Sequence, residues 1–410
     1  MKFVCVFQKA RSKMNQNIVI IGAGQAGLTT AMSLRDQGWT GAVHLIGAEE
    51  HIPYQRPPLS KGYLVGEETA ADLALTSAQA LTERDITAHL HTQVVQVDRA
   101  ATQVSLSDGT TLSYAWLIFA TGSQPRVLDI PGSDLAGMHA VRTIEDADVL
   151  RSSFTDGGET VFIGGGLLNL EVAIEAVNHG AVTVLEVAPQ ILQRVLSRPA
   201  ANALADYHAS LGIDIRCGVS IKQILGDDAG HVTGIEFEDG TQLAATRIVL
   251  SVGAIARDEL ATQTGLQTAG GIVVDEQLRT SDPAIFAIGD CAVFPSAFSG
   301  TQMRVESVQN ATDQARHVAG TITGNTELRY QAVPWFWSVQ GQRRLQIAGL
   351  AAPDDEANVM EHDEAKGKMV VERLRDGKVV AVETINAPGP HMKARKMLAA
   401  SMPRVLEAMA

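Results

Sequence analysis

An apolar strand that stops at a glycine-rich turn and continues as a helix admits few folds, and this chain carries that pattern twice. In the first copy Asn17-Ile18-Val19-Ile20-Ile21 runs into Gly22-Ala23-Gly24-Gln25-Ala26-Gly27. Gly22 makes the turn, Gly24 has no side chain to keep a diphosphate away, and Gly27 lets the helix from about Leu28 to Gln37 pack closely on the strand. The unpaired N–H groups at the start of that helix face the anion. A strand from Ala42 to Ile46 completes the βαβ unit. In the second copy Thr160-Val161-Phe162-Ile163 leads into Gly164-Gly165-Gly166-Leu167-Leu168-Asn169, and Thr183-Val184-Leu185-Glu186 closes it. Two cradles imply two nucleotides. Glu186 lies about twenty residues beyond Gly164, the spacing at which an acid binds an adenosine ribose 2′-OH and repels a 2′-phosphate. Val187 follows it where an arginine could have received that phosphate, so NADH is favoured over NADPH.

At 410 residues the chain is too long for one ordinary core, and two or three domains are expected. No apolar run approaches the roughly 18 residues of a membrane span. The net charge of −13 argues against a nucleic-acid partner. Cys5, Cys217 and Cys291 are too scattered for a disulfide framework, a zinc site or an iron–sulfur cluster. No resident metal is expected, and a reducing cytoplasm fits. Residues 1–16 carry Lys2, Lys9, Arg11 and Lys13 around an apolar run too short for a signal peptide. They read as a disordered tail or an upstream start ahead of Met14.

Glu49 is the ribose acid expected on the first-cradle side, with Glu50 as its competitor. The stiff loop Pro53-Tyr54-Gln55-Arg56-Pro57-Pro58-Leu59-Ser60-Lys61 precedes a helix expected near Ser60. It delivers Arg56 and Lys61 beyond the carboxyl ends of the strands, where open α/β sheets bind ligands. A helix is read over Asp72 to Arg84, then short strands with an Asp108-Gly109 hairpin, then a buried strand Trp116 to Ala120 ending at Gly122. The second cradle's domain starts near Pro131 and closes at Arg247 to Leu250 and Gly253; within it Val232 to Phe237 and Gln242 to Ala244 form a hairpin. The segment Ile285 to Ala292 reads as one buried strand whose end presents Asp290, and a helix from about Ser307 to Thr323 begins near the cofactor. From Val333 onward come Pro334-Trp335-Phe336-Trp337-Ser338, short strands over Gln346 to Leu350, Lys368 to Leu374 and Val379 to Ile385, and a last helix.

These motifs, in this order, together with Arg56-Pro57-Pro58-Leu59-Ser60-Lys61, Ala120-Thr121-Gly122, Ala287-Ile288-Gly289-Asp290 and Glu306-Ser307-Val308-Gln309-Asn310-Ala311, resemble the NADH-dependent, FAD-containing ferredoxin reductases of bacterial cytochrome P450 and aromatic-ring oxygenase systems. The resemblance runs from about Asn17 to Met397. It implies an α/β fold of the glutathione reductase type, with two Rossmann-like domains and a small α+β interface domain. In this chain that means an FAD domain over 17–130 and 254–328, an NAD domain over 131–253 and an interface domain over 329–410, preceded by the tail.

By the same resemblance Ala26, Glu49, Lys61, Val94, Arg142, Asp290 and Val308 contact FAD, with Gly22, Gly24, Gly27, Arg56 and Gly122 shaping its site. Gly164, Gly166, Glu171, Glu186 and Gly253 contact NADH. Lys61 and Glu171 meet near flavin N5, and Trp335 and Trp337 lie beside the ring at the electron exit. Disulfide-reductase relatives carry paired cysteines after the first cradle, whereas this chain has none between Asn17 and Pro199. Hydride therefore enters from NADH, and single electrons leave the flavin for an external iron–sulfur ferredoxin. Arg343, Arg344, Lys393, Arg395 and Lys396 form either a landing patch for that acidic partner or a solvated charged face. A monomer or weak homodimer is expected.

Departures from the family pattern are Asn169 in place of the third glycine of the second cradle, where a side chain is expected to push on the helix and crowd the nicotinamide path; Val339 in place of an acid near the flavin; and an end soon after the last helix. They leave two alternatives open: a flavoprotein with an attenuated NADH site acting as a redox sensor or scaffold, and an NADH oxidase.

Overall fold

The computed structural model describes residues 17–325 and 329–402. The N-terminal tail, Cys5 included, lies outside them. In chain order the elements that position the site are β1 (Ile18–Ile21), α1 (Gln25–Asp36), β2 (Val43–Ile46), β3 (Ile86–His89), β4 (Trp116–Phe119), α2 (Ile144–Ser153), β5 (Thr160–Ile163), α3 (Leu167–Ala176), β6 (Val182–Glu186), α4 (Arg198–Ser210), β7 (Asp214–Cys217), β8 (Arg247–Leu250), β9 (Ile285–Ala287) and α5 (Val308–Thr323). The C-terminal part adds β10 (Trp335–Gln340), β11 (Arg343–Gly349), β12 (Glu356–Asp363), β13 (Lys368–Arg375), β14 (Lys378–Ile385) and α6 (Pro388–Ser401).

Two five-stranded parallel sheets carry the two cradles, in the orders β9-β4-β1-β2-β3 and β7-β6-β5-β8 followed by the short strand Met138–His139. Their central strands β1 and β5 are buried along their whole length. That is what helices on both faces of a parallel sheet require, and it explains why these segments read as unbroken apolar runs. The crossover between the halves of the first sheet spans the entire second sheet, since β9 returns to pair with β4. The hairpin Val232–Phe237 with Gln242–Ala244 forms as expected. The C-terminal sheet is antiparallel in the order β10-β11-β14-β13-β12, and α6 follows it. Its β10 and β12 were not read as strands from the sequence, and β12 is a largely exposed edge whose composition carries no alternation.

Local expectations fail where tertiary pairing overrides propensity. The helix expected over Asp72 to Arg84 is confined to Ala78–Glu83, with the Ser77 hydroxyl accepting from Ala80 N–H at 3.0 Å. Upstream of it the backbone of Leu73 and Leu75 pairs with Gln55 and Pro53 and is held out of helix. No helix starts at Ser60. Pro57–Ser60 is one 3₁₀ turn, and Lys61 leaves it at φ −140°, ψ −123°. The single strand expected over Ile285 to Ala292 is broken after Ala287: Gly289 at φ +73° starts the 3₁₀ turn Gly289–Cys291, and Ala292–Pro295 joins another sheet. That break swings Asp290 out of the sheet.

Candidate functional site

The first cradle closes on backbone. Gly22 sits at φ +114°, and a Cβ there would lie 2.1 Å from Ala120 O; a Cβ on Gly27 would lie 1.9 Å from Gly22 O. Gly24 is the opposite case, with nothing within 4 Å of its Cβ position. It is also the N-cap of α1 and supplies no side-chain bond to the orphan amides of the first turn. Space, free donors and the helix dipole meet at one point, which suits a pyrophosphate.

From this point a cavity of about 710 Å³ extends both ways, walled by Gly22, Gly24, Ala26, Glu49, Arg56, Lys61, Val94, Gly122, Arg142, Asp290, Val308, Glu171 and Trp337. Gly27 is not in the wall; it seats the helix. At one end Glu49 accepts from Tyr54 Oη and Arg56 Nη2, each at 2.5 Å. Burial pushes the Tyr54 hydroxyl well above its ordinary range, so it remains a donor. Glu50 is exposed and does not line the cavity. In the middle Asp290 accepts from Ser123 Oγ at 2.9 Å and Arg142 Nη2 at 3.1 Å. Ser307, whose hydroxyl caps α5, brings that helix N-terminus to the wall. One cavity thus gathers a diphosphate cradle and the acids Glu49 and Asp290, the kinds of group a dinucleotide such as FAD needs.

At the other end Lys61 and Glu171 come together, Nζ to Oε2 at 2.5 Å. Glu171 is 8% exposed. Ser60 Oγ donates to Oε2 at 2.6 Å, Ser338 Oγ to Oε1 at 2.7 Å and the Val339 amide to Oε1 at 3.2 Å. These donors match the acceptor capacity of an ionised carboxylate. They come from two parts of the chain, the proline-rich loop and β10, and meet on a carboxylate carried by a third, α3. Lys61 is fixed in turn by Pro57 O at 3.0 Å and Ser60 Oγ at 3.2 Å. Ser60 and Ser338 were not singled out from sequence as site residues. Their only signal was position, one residue before Lys61 and one after Trp337.

The second cavity, about 870 Å³, is walled by Gly164, Gly166, Glu186, Gly253, Val187, Ala188 and Leu192 to Val195. It shares Leu167, Ser251, Gly253 and Glu306 with the first, so the two lie side by side. Gly164 repeats the turn of Gly22, at φ +102° with its Cβ position 2.3 Å from Ser251 O. Glu186 accepts from the Gly165 amide at 2.7 Å and the Ala188 amide at 2.8 Å, tying the strand end to the cradle. Asn169 does not crowd the nicotinamide path, contrary to expectation. It is fully buried, and Nδ2 donates to Ile163 O and Gly164 O, both at 2.9 Å. The side chain braces the turn from beneath.

The aromatic pair divides. Trp337 lines the first cavity beside Phe336, whereas Trp335 does not. Two apart on β10, the pair shares a face, with rings 5.6 Å apart, and Trp335 is the one covered by α6, its ring 5.6 Å from that of His391 and under the Arg395 guanidinium at 4.1 Å. The expected basic patch also splits. Arg343 stacks on Tyr207 of α4 at 4.3 Å, while Arg344 and Arg395 both act on His391 and, with burial as the larger cause, lower its pKa to about 4. No cysteine among the described residues lines either cavity; Cys291 is buried beside the Asp290 turn, as expected of a structural residue, and Cys217 is half-buried.

A doubly cradled α/β chain with two neighbouring cavities, neither lined by a cysteine of the described residues, is a nucleotide-dependent oxidoreductase in its architecture. Residues 16–315 match the family described as pyridine nucleotide-disulphide oxidoreductase, and residues 335–410 match the reductase C-terminal family. The chain is 42% identical to rhodocoxin reductase of Rhodococcus erythropolis, over 94% of this chain and 90% of that one. It is 37% identical to putidaredoxin reductase of Pseudomonas putida, over 95% and 93%. The crystal structure of the ferredoxin reductase for the CYP199A2 system from Rhodopseudomonas palustris superposes with a TM-score of 0.91 at 38% identity, covering 95% of this chain and 96% of that one. The chain therefore belongs to the pyridine nucleotide-disulphide oxidoreductases, in the branch that carries a reductase C-terminal domain, and its cofactors are FAD and NAD(H).

Proposed function

We propose that this chain is an NADH:ferredoxin reductase, working in the cytoplasm as a monomer or weak homodimer and serving a cytochrome P450 or aromatic-ring oxygenase. Residues 17–130 and 254–328 hold FAD, 131–253 hold NADH, and 329–410 present the acceptor face. The observation that carries this reading is the Lys61–Glu171 pair in the wall of the first cavity, beside a second cavity that shares Leu167, Ser251, Gly253 and Glu306 with it, with no cysteine among the described residues in either wall. Putidaredoxin reductase, a relative of this chain, has been crystallised in covalent complex with putidaredoxin, and that structure superposes with a TM-score of 0.89.

Bound FAD supplies the conversion of a hydride into two single electrons. The protein's part is placement and charge. Gly24 and the first turn of α1 take the diphosphate, Glu49 the ribose and Asp290 the polyol chain. Glu186 takes the NADH ribose, and Gly164 and Gly166 its diphosphate. Lys61 stands in the wall of the first cavity, and Glu171, its acceptor positions taken by Lys61, Ser60, Ser338 and the Val339 amide, orients it there. Both are fixed by neighbours before any ligand arrives, so the reacting atoms meet without reorganisation of the site. Trp337 stands in the wall of the first cavity.

The test is NADH-driven reduction of cytochrome c with and without a panel of ferredoxins. The reading expects reduction that depends on an added ferredoxin. NADH consumption that ignores every ferredoxin and ends on oxygen would contradict it.

A further inference from the structure

The loop Val187 to Leu196, which supplies Val187, Ala188 and Leu192 to Val195 to the wall of the second cavity, is tied to the rest of the chain along its length, and three of these ties matter here. At its start the Ala188 amide donates to Glu186, and midway the Leu192 amide donates to Gly165 O at 3.0 Å with Leu192 itself at φ +54°. Both pins belong to the cradle. The third comes from elsewhere. Ser197, which ends the segment and is the N-cap of α4, makes no side-chain cap to its own helix. Its amide donates to Glu383 Oε1 at 2.9 Å and its hydroxyl to Glu383 Oε2 at 2.5 Å, across from β14 of the C-terminal sheet.

Glu383 is held for this role. Its carboxylate is 1% exposed and pairs with Arg373 Nη1 at 2.7 Å, Arg373 being 3% exposed. Arg373 Nη2 donates to Ala352 O at 2.8 Å and Asp355 O at 3.1 Å. A buried ion pair of this kind is a poor source of net stability but a precise one of position. The carboxylate also lies at the positive end of α4, where its charge is favoured. Leu192 occupies a strained left-handed conformation, so the loop needs both flanks fixed to keep its shape.

We propose that Glu383, with Arg373 behind it, is a positioning residue for NADH: it fixes the far end of the cavity-walling loop, so that dinucleotide affinity is set from the C-terminal sheet. This rests on the reading that the second cavity takes NADH. The probes are NAD⁺ in calorimetric titration, NADH in steady-state kinetics and amide exchange across Val187 to Leu196, on FAD-loaded full-length protein. Glu383→Gln should weaken NAD⁺ binding and raise the KM for NADH about tenfold, the loss of a hydrogen bond to a charged group. The kcat at saturating NADH should stay within about twofold, because the junction is untouched. Ser197→Ala, which keeps the Arg373–Glu383 pair and the amide bond, should cost about threefold. The double variant should be no worse than Glu383→Gln, and exchange in the loop should quicken in each.

If Glu383→Gln does not fold, Ser197→Ala decides alone. Wild-type protein that binds NAD⁺, with folded variants that bind it equally well, overturns the pin and leaves the nucleotide reading intact. Wild-type protein that takes no NAD⁺ overturns that reading and the pin with it.

Discussion

The two cradles share a turn but seat their helices differently. Gly22 and Gly164 adopt the same positive-φ conformation and press on a neighbouring carbonyl at nearly the same distance, 2.1 and 2.3 Å from the Cβ position. Five residues on, Gly27 permits contact so close that no side chain fits, while Asn169 fills the equivalent place and donates to Ile163 O and Gly164 O. The first cradle seats its helix by steric fit, with no side chain at Gly27. The second is closed by hydrogen bonds, those of Asn169 below and Glu186 at the side. A glycine-for-asparagine exchange in this position is therefore a change in the kind of tie that holds the turn, with the nucleotide face left open.

The largest effect on this contrast comes from Gly22→Val. At φ +114° and with backbone in the way, the variant should purify without flavin, read as the loss of its visible absorbance, whereas Gly164→Val should keep flavin and lose NADH binding. Next, Gly27→Asn should also empty the FAD site, because the seat that accepts a side chain under β5 does not exist under β1. Asn169→Leu removes two hydrogen bonds, to Gly164 O and to Ile163 O, which keeps the Ser251 amide, at about 1–3 kcal/mol together; NADH affinity and melting temperature should fall together while FAD content holds. Glu171→Gln keeps the shape of the junction and removes its charge, so flavin reduction by NADH should slow by about 10–100-fold with FAD retained. Rapid-mixing absorbance separates that rate from binding.

The smallest effect is on acid stability. His391 titrates at about 4 in the fold against 6.5 in the unfolded chain. The unfolded state thus binds the proton more readily, and stability is fully present above pH 6.5 and lost as pH falls from there toward 4. His44 and His89, whose ring nitrogens lie 3.1 Å apart, are lowered in the same direction by burial. The melting temperature should decline across that window, and His391→Phe should make the decline shallower.

Much of this was legible in the sequence because β1, β5 and their turns are governed by local sterics. A strand buried on both faces is apolar throughout, and a turn at positive φ is glycine. The pairing of Lys61 with Glu171 followed from family resemblance, and the chain has no local signal for it, since the two residues sit on separate elements. What stayed hidden depends on partners distant in sequence. Ser60 and Ser338 matter only because α3 brings Glu171 between them, and Glu383 only because β14 passes the start of α4. Trp335 and Trp337 looked equivalent at a spacing of two, yet α6 covers one while the other walls the cavity. Asn169 was read as an obstruction because a sequence shows that a side chain is present without showing which carbonyls it meets.

The central claim is that hydride crosses at the Lys61–Glu171 junction into FAD. Anaerobic stopped-flow mixing of the flavin-loaded protein with NADH tests it most directly. The account predicts that the flavin band bleaches within about a second, as in enzymes of ordinary turnover, and that an added ferredoxin restores it. Bleaching that takes minutes, or a reduced flavin that no ferredoxin reoxidises, would contradict it.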